Sequence, residues 1–208
     1  MVAEYKIFLH KNDLPNDVIF GKVIAIDTET MGLNLSRDRL CLVQIRDETR
    51  NVHLIQFTNG TYDAHNLKRV LADRSILKIF HYARFDMLSI YQYLGVMCEN
   101  IFCTKIASKL VRTYTDKHGL KDLCKELLNL ELNKEQQSSY WGNNLLSEKQ
   151  QMYAASDVLY LHPLKHQLEL MLKRESRNNI AKACFDFLPM RVILDSLQFA
   201  DKNDIFHH

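Results

Sequence analysis

The sequence predicts an α/β fold, with a mixed central sheet formed early and helices packed around it. Three observations predict it. Apolar, β-prone runs at residues 22–27 (KVIAID), 40–46 (LCLVQIR) and 51–57 (NVHLIQF) are separated only by turn-prone segments, MGLNLSRDR and DETR. Such spacing suits an antiparallel meander. Residues 63–94 then read helix, strand, helix, so at least one crossover is helical and the sheet also holds parallel strands. From about residue 102 onward, apolar residues recur at helical spacing.

Taken in order, the first run is apolar through Ile26 and ends in two acids, Asp27 and Glu29. The second is rich in β-formers, and the third alternates. Residues 63–73 (DAHNLKRVLAD) are helical by spacing, 76–81 (ILKIFH) form a further apolar strand, and 84–94 (RFDMLSIYQYL) return to helix. Helices are predicted over 102–112, 119–129, 147–160, 163–174 and 176–198. TYTDKHG and NKEQQSSYWGNN are the main loops. The 208 residues suit one domain, or one domain with an extension. We expect a main domain over 1–175 and a C-terminal helix and tail over 176–208. The tail packs either on that domain or at a subunit interface.

Composition excludes several classes. Apolar residues make up 47% and charged residues 25%, an ordinary globular balance. No run reaches membrane-spanning length. The opening MVAEYKIFLHKND lacks the apolar core of a signal peptide, so the expected location is cytoplasmic. Five cysteines without a C-x-x-C pair indicate buried thiols in a reducing compartment rather than a disulfide framework or a zinc knuckle. A net charge of +2 is too mild for a nucleic-acid coat but leaves room for a small phosphate-binding site.

Chemistry concentrates in the acids. Asp27 and Glu29 are two apart on a strand, so their side chains leave the same face. Asp86 falls in the first turn of a helix just after a strand. Tyr153 and Asp157, four apart in QMYAASDVLYL, share a helical face. Each has a plain structural reading alone: a solvated strand end, a dipole-favoured acid, an amphipathic helix. Together they gather hard oxygen ligands suited to Mg²⁺ or Mn²⁺. Two such ions about 4 Å apart clamp the attacking and leaving oxygens of a phosphodiester displacement. A phenol beside them can orient or deprotonate the attacking water.

IDTET, the acid of HYARFDM, and YAASDVLYL resemble the three motifs of the DEDD exonucleases, which have a ribonuclease H-like fold. The tyrosine four residues before the last aspartate marks the DEDDy branch. RLCLVQI and LNKEQQSSYWGNNLLSEKQQMYAASDVLYL are similar to the ribonuclease D group. The resemblance runs over roughly residues 20–170. The tail FDFLPMRVILDSLQFADKNDIFHH resembles that of the compact nanoRNase C-type oligoribonucleases.

The resemblance implies 3′→5′ hydrolysis of very short RNAs, especially diribonucleotides such as pGpG, and a homo-octameric ring. It makes Asp27, Glu29, Asp86 and Asp157 the ligands of two divalent cations, and Tyr153 the residue that positions the nucleophilic water. It also implies substrate contacts at Thr28, Thr30, Leu33 and His81. Leu33 is either an apolar wedge between bases or a loop leucine filling the core edge. His81 either touches the terminal nucleotide or is a satisfied buried histidine. Gly32 permits a tight turn before the wedge.

Other features read more plainly. His162 and His166, with Pro163 between them, lack a third ligand and read as a solvated face. Lys105, Arg112 and Lys117 read as exposed cations rather than a 5′-phosphate site. Tyr140 and Trp141 either stack on a base or anchor their loop. Two further functions stay open: trimming of longer RNA or of DNA, and a silent nucleic-acid-binding scaffold. The scaffold reading is disfavoured because all four acids and the tyrosine are present.

Overall fold

The computed structural model describes residues 5–58, 60–132, 136, 139–199 and 204–206. Its strands are β1 (Ile7–Lys11), β2 (Val23–Thr30), β3 (Leu40–Arg46), β4 (Val52–Gln56), β5 (Leu77–Phe80) and β6 (Ile101–Cys103). Its helices are α1 (His65–Ala72), α2 (Ala83–Leu94), α3 (Thr104–Val111), α4 (Leu120–Leu128), α5 (Glu148–Leu159), α6 (Leu161–Arg174) and α7 (Asn178–Ser196). They build a six-stranded mixed sheet in the order β1-β4-β3-β2-β5-β6. The β2–β3–β4 meander is antiparallel, while β1 joins β4, and β5 and β6 extend β2, in parallel. The expected fold class is the one found.

The sheet is covered on both faces, so β3 and β4 are buried at every position; the alternation read over 51–57 is one of residue type and not of burial. On one face α5 crosses β2, β3 and β4; α7 packs on α2, α3 and β6. The apolar stripe of α7, Ala181, Phe185, Leu188 and Val192, is buried within this chain.

The sequence reading differs from the structure at the sheet's edges. β1 lies outside the predicted strands; it is a half-exposed edge strand whose burial does not alternate. The predicted helix at 102–112 begins as strand β6, and α3 starts at Thr104; three buried residues are too few to show a period. α6 begins at Leu161 and continues through Pro163, since a proline in the first helical turn costs no hydrogen bond. The closing His207–His208 pair, and residues 133–135, 137 and 138 of the long loop, lie outside the described residues.

Candidate active site

β2 carries the first two acids to a place where the sheet opens. β5 pairs with β2 only from Val23 to Ala25. Beyond Ala25, β2 keeps β3 on one side and turns its other edge to α2. Asp86 fills that gap. Its Oδ1 accepts from the Thr28 amide at 3.0 Å and from the Thr28 hydroxyl at 2.7 Å. The Thr28 amide, on the strand edge left unpaired by the sheet, is thus satisfied by the Asp86 carboxylate. Thr28 is buried and its donors are spent on Asp86 rather than presented to a nucleotide. Thr30 is likewise occupied, its hydroxyl donating to the Gly32 carbonyl at 2.5 Å.

α5 supplies the other side. A capping box starts it, with the Gln150 amide donating to Ser147 Oγ at 3.2 Å and the Ser147 amide to Gln150 Oε1 at 3.1 Å. Tyr153 and Asp157 then face the cleft one turn apart. Carboxylate oxygens of Asp27, Glu29 and Asp157 all lie within 4.8 Å of one another. Asp86 stands beside this trio, on the Thr28 side. Gln44 of β3 reaches Asp27 Oδ2 at 3.4 Å, a contact for which the one polar residue inside LCLVQI was the signal.

Electrostatics follow from this crowding. Burial first, then Asp86, Asp157 and Glu29, push the Asp27 carboxyl well above its ordinary range. Glu29 rises for the same reasons, burial ahead of Asp157 and Asp86. Asp86 is pushed up to about 7 by burial, although the Thr28 hydrogen bonds pull the other way. Burial, then Asp157, Glu29 and Asp27, also raise the Tyr153 phenol, so it is an O–H donor rather than a base. Like charges packed this closely are tolerable only with protons or cations among them. Three convergent carboxylates are the donor set a hard divalent cation prefers.

A cleft of about 290 Å³ opens over these groups, flanked by His81, Tyr82, Phe85, Lys105, Leu120, Lys121 and Leu132. His81 is half-buried. Thr104 Oγ1 donates to the Phe80 carbonyl at 3.2 Å, so His81 Nδ1 donates to Thr104 at 2.9 Å. Tyr82 caps α2 in the left-handed region, at φ 68°, a costly conformation for a bulky side chain. Lys105 sits 3.9 Å above its ring. Leu33 is 85% exposed, so it does not fill the core edge. Gly32 is required by room rather than by turn geometry: a Cβ there would stand 2.4 Å from Asp38 Oδ2.

Two plain readings need correcting, and one open alternative is decided. His162 is not on a solvated face: its ring lies 2.5 Å from Arg46 Nη1 and 3.3 Å from the Val23 carbonyl. Burial and Arg46 hold its pKa down to about 4. Arg112 is not an exposed cation; its side chain is fully buried. Trp141 is buried, its ring 6.0 Å from that of Tyr153, so it anchors the loop and backs the tyrosine. Its neighbour Tyr140 is exposed.

An open-edged mixed sheet with acids from β2, α2 and α5 defines a ribonuclease H-like nuclease, and the comparisons refine this. Residues 11–173 match the model of a 3′-5′ exonuclease family. DNA polymerase I of Aquifex aeolicus is 35% identical over 149 residues, covering 72% of this chain and 24% of that protein. Ribonuclease D of Gluconacetobacter diazotrophicus is 34% identical over 155 residues, covering 74% and 39%. The chain therefore spans well under half the length of these curated relatives. Brucella melitensis NrnC aligns with a TM-score of 0.93 and 53% identity over 98% of both chains. The same protein has been solved bound to pGG, at 51% identity over 99% of this chain and 100% of that one, TM-score 0.93. It has also been solved with bound Mg²⁺, at 51% identity over 98% and 99%, TM-score 0.92. The chain belongs to the 3′-5′ exonuclease family.

Proposed function

We propose that the chain is a metal-dependent 3′→5′ exoribonuclease acting on very short RNAs, diribonucleotides such as pGpG above all. It releases nucleoside 5′-monophosphates. The observation that carries this is the end-to-end match to NrnC, a protein solved with pGG, together with the convergent carboxylates.

Asp27, Glu29 and Asp157 would hold two divalent cations, Mg²⁺ or Mn²⁺, with Asp86 acting directly or through water. When bound, these ions lower the pKa of the attacking water and neutralise charge on the phosphate oxygens. Tyr153, a donor backed by Trp141, orients the water. The water oxygen bonds to phosphorus, the bond from phosphorus to the upstream 3′ oxygen breaks, and that oxygen leaves as a hydroxyl. The exposed Leu33 is the wedge against the bases, a stacking role open to any apolar side chain at this place. His81, fixed through Thr104, faces the terminal nucleotide. Thr28 serves the substrate through Asp86, and Thr30 through the shape of the wedge loop.

The test compares 5′-labelled RNAs of two and twenty nucleotides, with Mg²⁺ or Mn²⁺ and with chelator. The dinucleotide should be preferred by an order of magnitude or more, and chelator should stop the reaction. Preference for the twenty-mer, or for DNA, would overturn the substrate assignment.

We read residues 1–175 as the catalytic domain and 176–208 as an extension that braces α2 and contributes to a homo-octameric ring. α7 and the residues after it expose Phe187, Met190, Leu197 and Phe199 while burying their opposite stripe. Apolar surface of that kind marks contact sites. Deleting residues 185–208 would uncover the core, so the clean test is Met190→Glu with Leu197→Glu. Light scattering should then report smaller particles than for the unaltered chain, and an unchanged mass would sink the interface. We place the protein in the cytoplasm; all five thiols are free, and no described helix is long and apolar enough to cross a membrane.

A further inference from the structure

Leu33 stands in water on a segment that is otherwise tied down. The Met31 amide donates to the Arg39 carbonyl at 3.0 Å, and the Asn34 amide to Asp38 Oδ2 at 3.0 Å. Asp38 is buried and held at both carboxylate oxygens by Arg37, at 2.7 and 3.0 Å. Two residues beyond the wedge, Leu35 is buried, and its carbonyl accepts two hydrogen bonds from one helix. Gln92 Nε2 and the Tyr93 hydroxyl both lie 2.6 Å away. Consecutive helical side chains diverge by about 100°, so two that converge on one oxygen bracket its position. Tyr93 is itself fixed, its ring 5.3 Å from that of Tyr62, whose hydroxyl donates to the Leu40 carbonyl at 2.8 Å.

The helix that makes this clasp is α2, the helix of Asp86. Phe85, beside that acid, lines both the catalytic cleft and a neighbouring hollow of about 400 Å³ next to Leu33. We propose that Gln92 and Tyr93 are positioning residues: their shared hold on the Leu35 carbonyl registers the Leu33 wedge against Asp86 and so sets the grip on the base step at the scissile phosphate. The proposal rests on reading Leu33 as the wedge of a short-RNA nuclease. Nothing in the clasp touches the reacting atoms, so its effect falls on recognition of the base beyond the scissile bond.

The test combines Gln92→Leu and Tyr93→Phe, which keeps the Tyr62 ring contact. Two substrates are compared: a diribonucleotide, and the p-nitrophenyl ester of thymidine 5′-monophosphate, which has a cleavable phosphodiester but only one base. KM for the dinucleotide should rise about tenfold, about 1.4 kcal/mol of lost grip on the base. Ester hydrolysis should be unchanged. In a Leu33→Ala background the pair should add no further rise, because coupled residues are non-additive. Equal losses on both substrates, or the same factor with and without Leu33, would overturn the clasp. Failure of the substrate reading shows separately, as preference of the unaltered chain for the twenty-mer, and the same cycle is then read on that RNA.

Discussion

Asp27→Asn should reduce hydrolysis by at least about 10³-fold and, without metal, make the protein more stable than the unaltered chain. The activity loss follows from the place of Asp27 within the carboxylate trio. Cations held there are worth several kcal/mol of transition-state stabilisation, at about 1.4 kcal/mol per tenfold in rate. The stability gain follows from the electrostatics. Asp27 is driven up by burial and by three neighbouring acids, and an amide of the same shape removes that repulsion. The two effects have opposite sign, which separates a functional acid from a structural one. A melting temperature that falls, or activity within tenfold of the unaltered chain, would refute the assignment.

The same reasoning gives a pH dependence. Carboxyl groups raised in the folded state bind protons that the unfolded chain, near its ordinary value of about 4, has already released. Their contribution to stability is complete below that value and is lost as pH rises through the folded values, about 7 for Asp86. Metal-free protein should therefore melt higher at pH 6 than at pH 8. Mg²⁺, which replaces the protons, should raise the melting temperature more at pH 8.

What could be read from the sequence depended on the range of the cause. The meander shows because β-prone apolar runs and the short turns between them are local. The acids show because Asp27 and Glu29 share a strand face and Tyr153 and Asp157 a helix face; only Asp86 had to be joined to them from elsewhere in the chain. The misses come from contacts that no period encodes. Thr28 faces Asp86 across 58 positions, and Leu35 meets Gln92 across 57. Gln44 meets Asp27 across 17 positions, a contact set by the β2–β3 register. The histidine at 162 looked solvent-facing because its partners, Arg46 and Val23, belong to strands more than a hundred residues earlier. Of the two places open to α7 in the sequence, the structure shows packing on its own domain. The bidentate Arg84–Asp195 pair, at 2.5 and 2.8 Å, ties it to α2, a link between elements more than a hundred residues apart.

Arg112 tests how far a mistaken surface reading matters. Its guanidinium is fully buried, where a cation survives only if its donors are used. Nη1 donates to the Lys117 carbonyl at 2.7 Å and to Ser108 Oγ at 3.0 Å, Nε to Glu126 Oε1 at 3.2 Å, and Nη2 to Glu126 Oε2. One side chain thus fastens α3, the loop at 113–119 and α4 together, and the start of α4 forms a wall of the cleft. Arg112→Met should cost about 3 kcal/mol, at the low end for removing one partner of a buried pair because Glu126 is 41% exposed and can turn to water. For a chain of this size that lowers the melting temperature by roughly 6–12 °C. Glu126→Gln should cost less than half as much, since the arginine keeps its carbonyl and hydroxyl partners. Arg112→Lys should recover little, because an ammonium cannot span the fork. KM should rise with kcat little changed, as α4 shifts while the carboxylates on β2, α2 and α5 stay in place. Equal melting temperatures for Arg112→Met and Glu126→Gln would mean that the ion pair, and not the buried guanidinium, holds this corner.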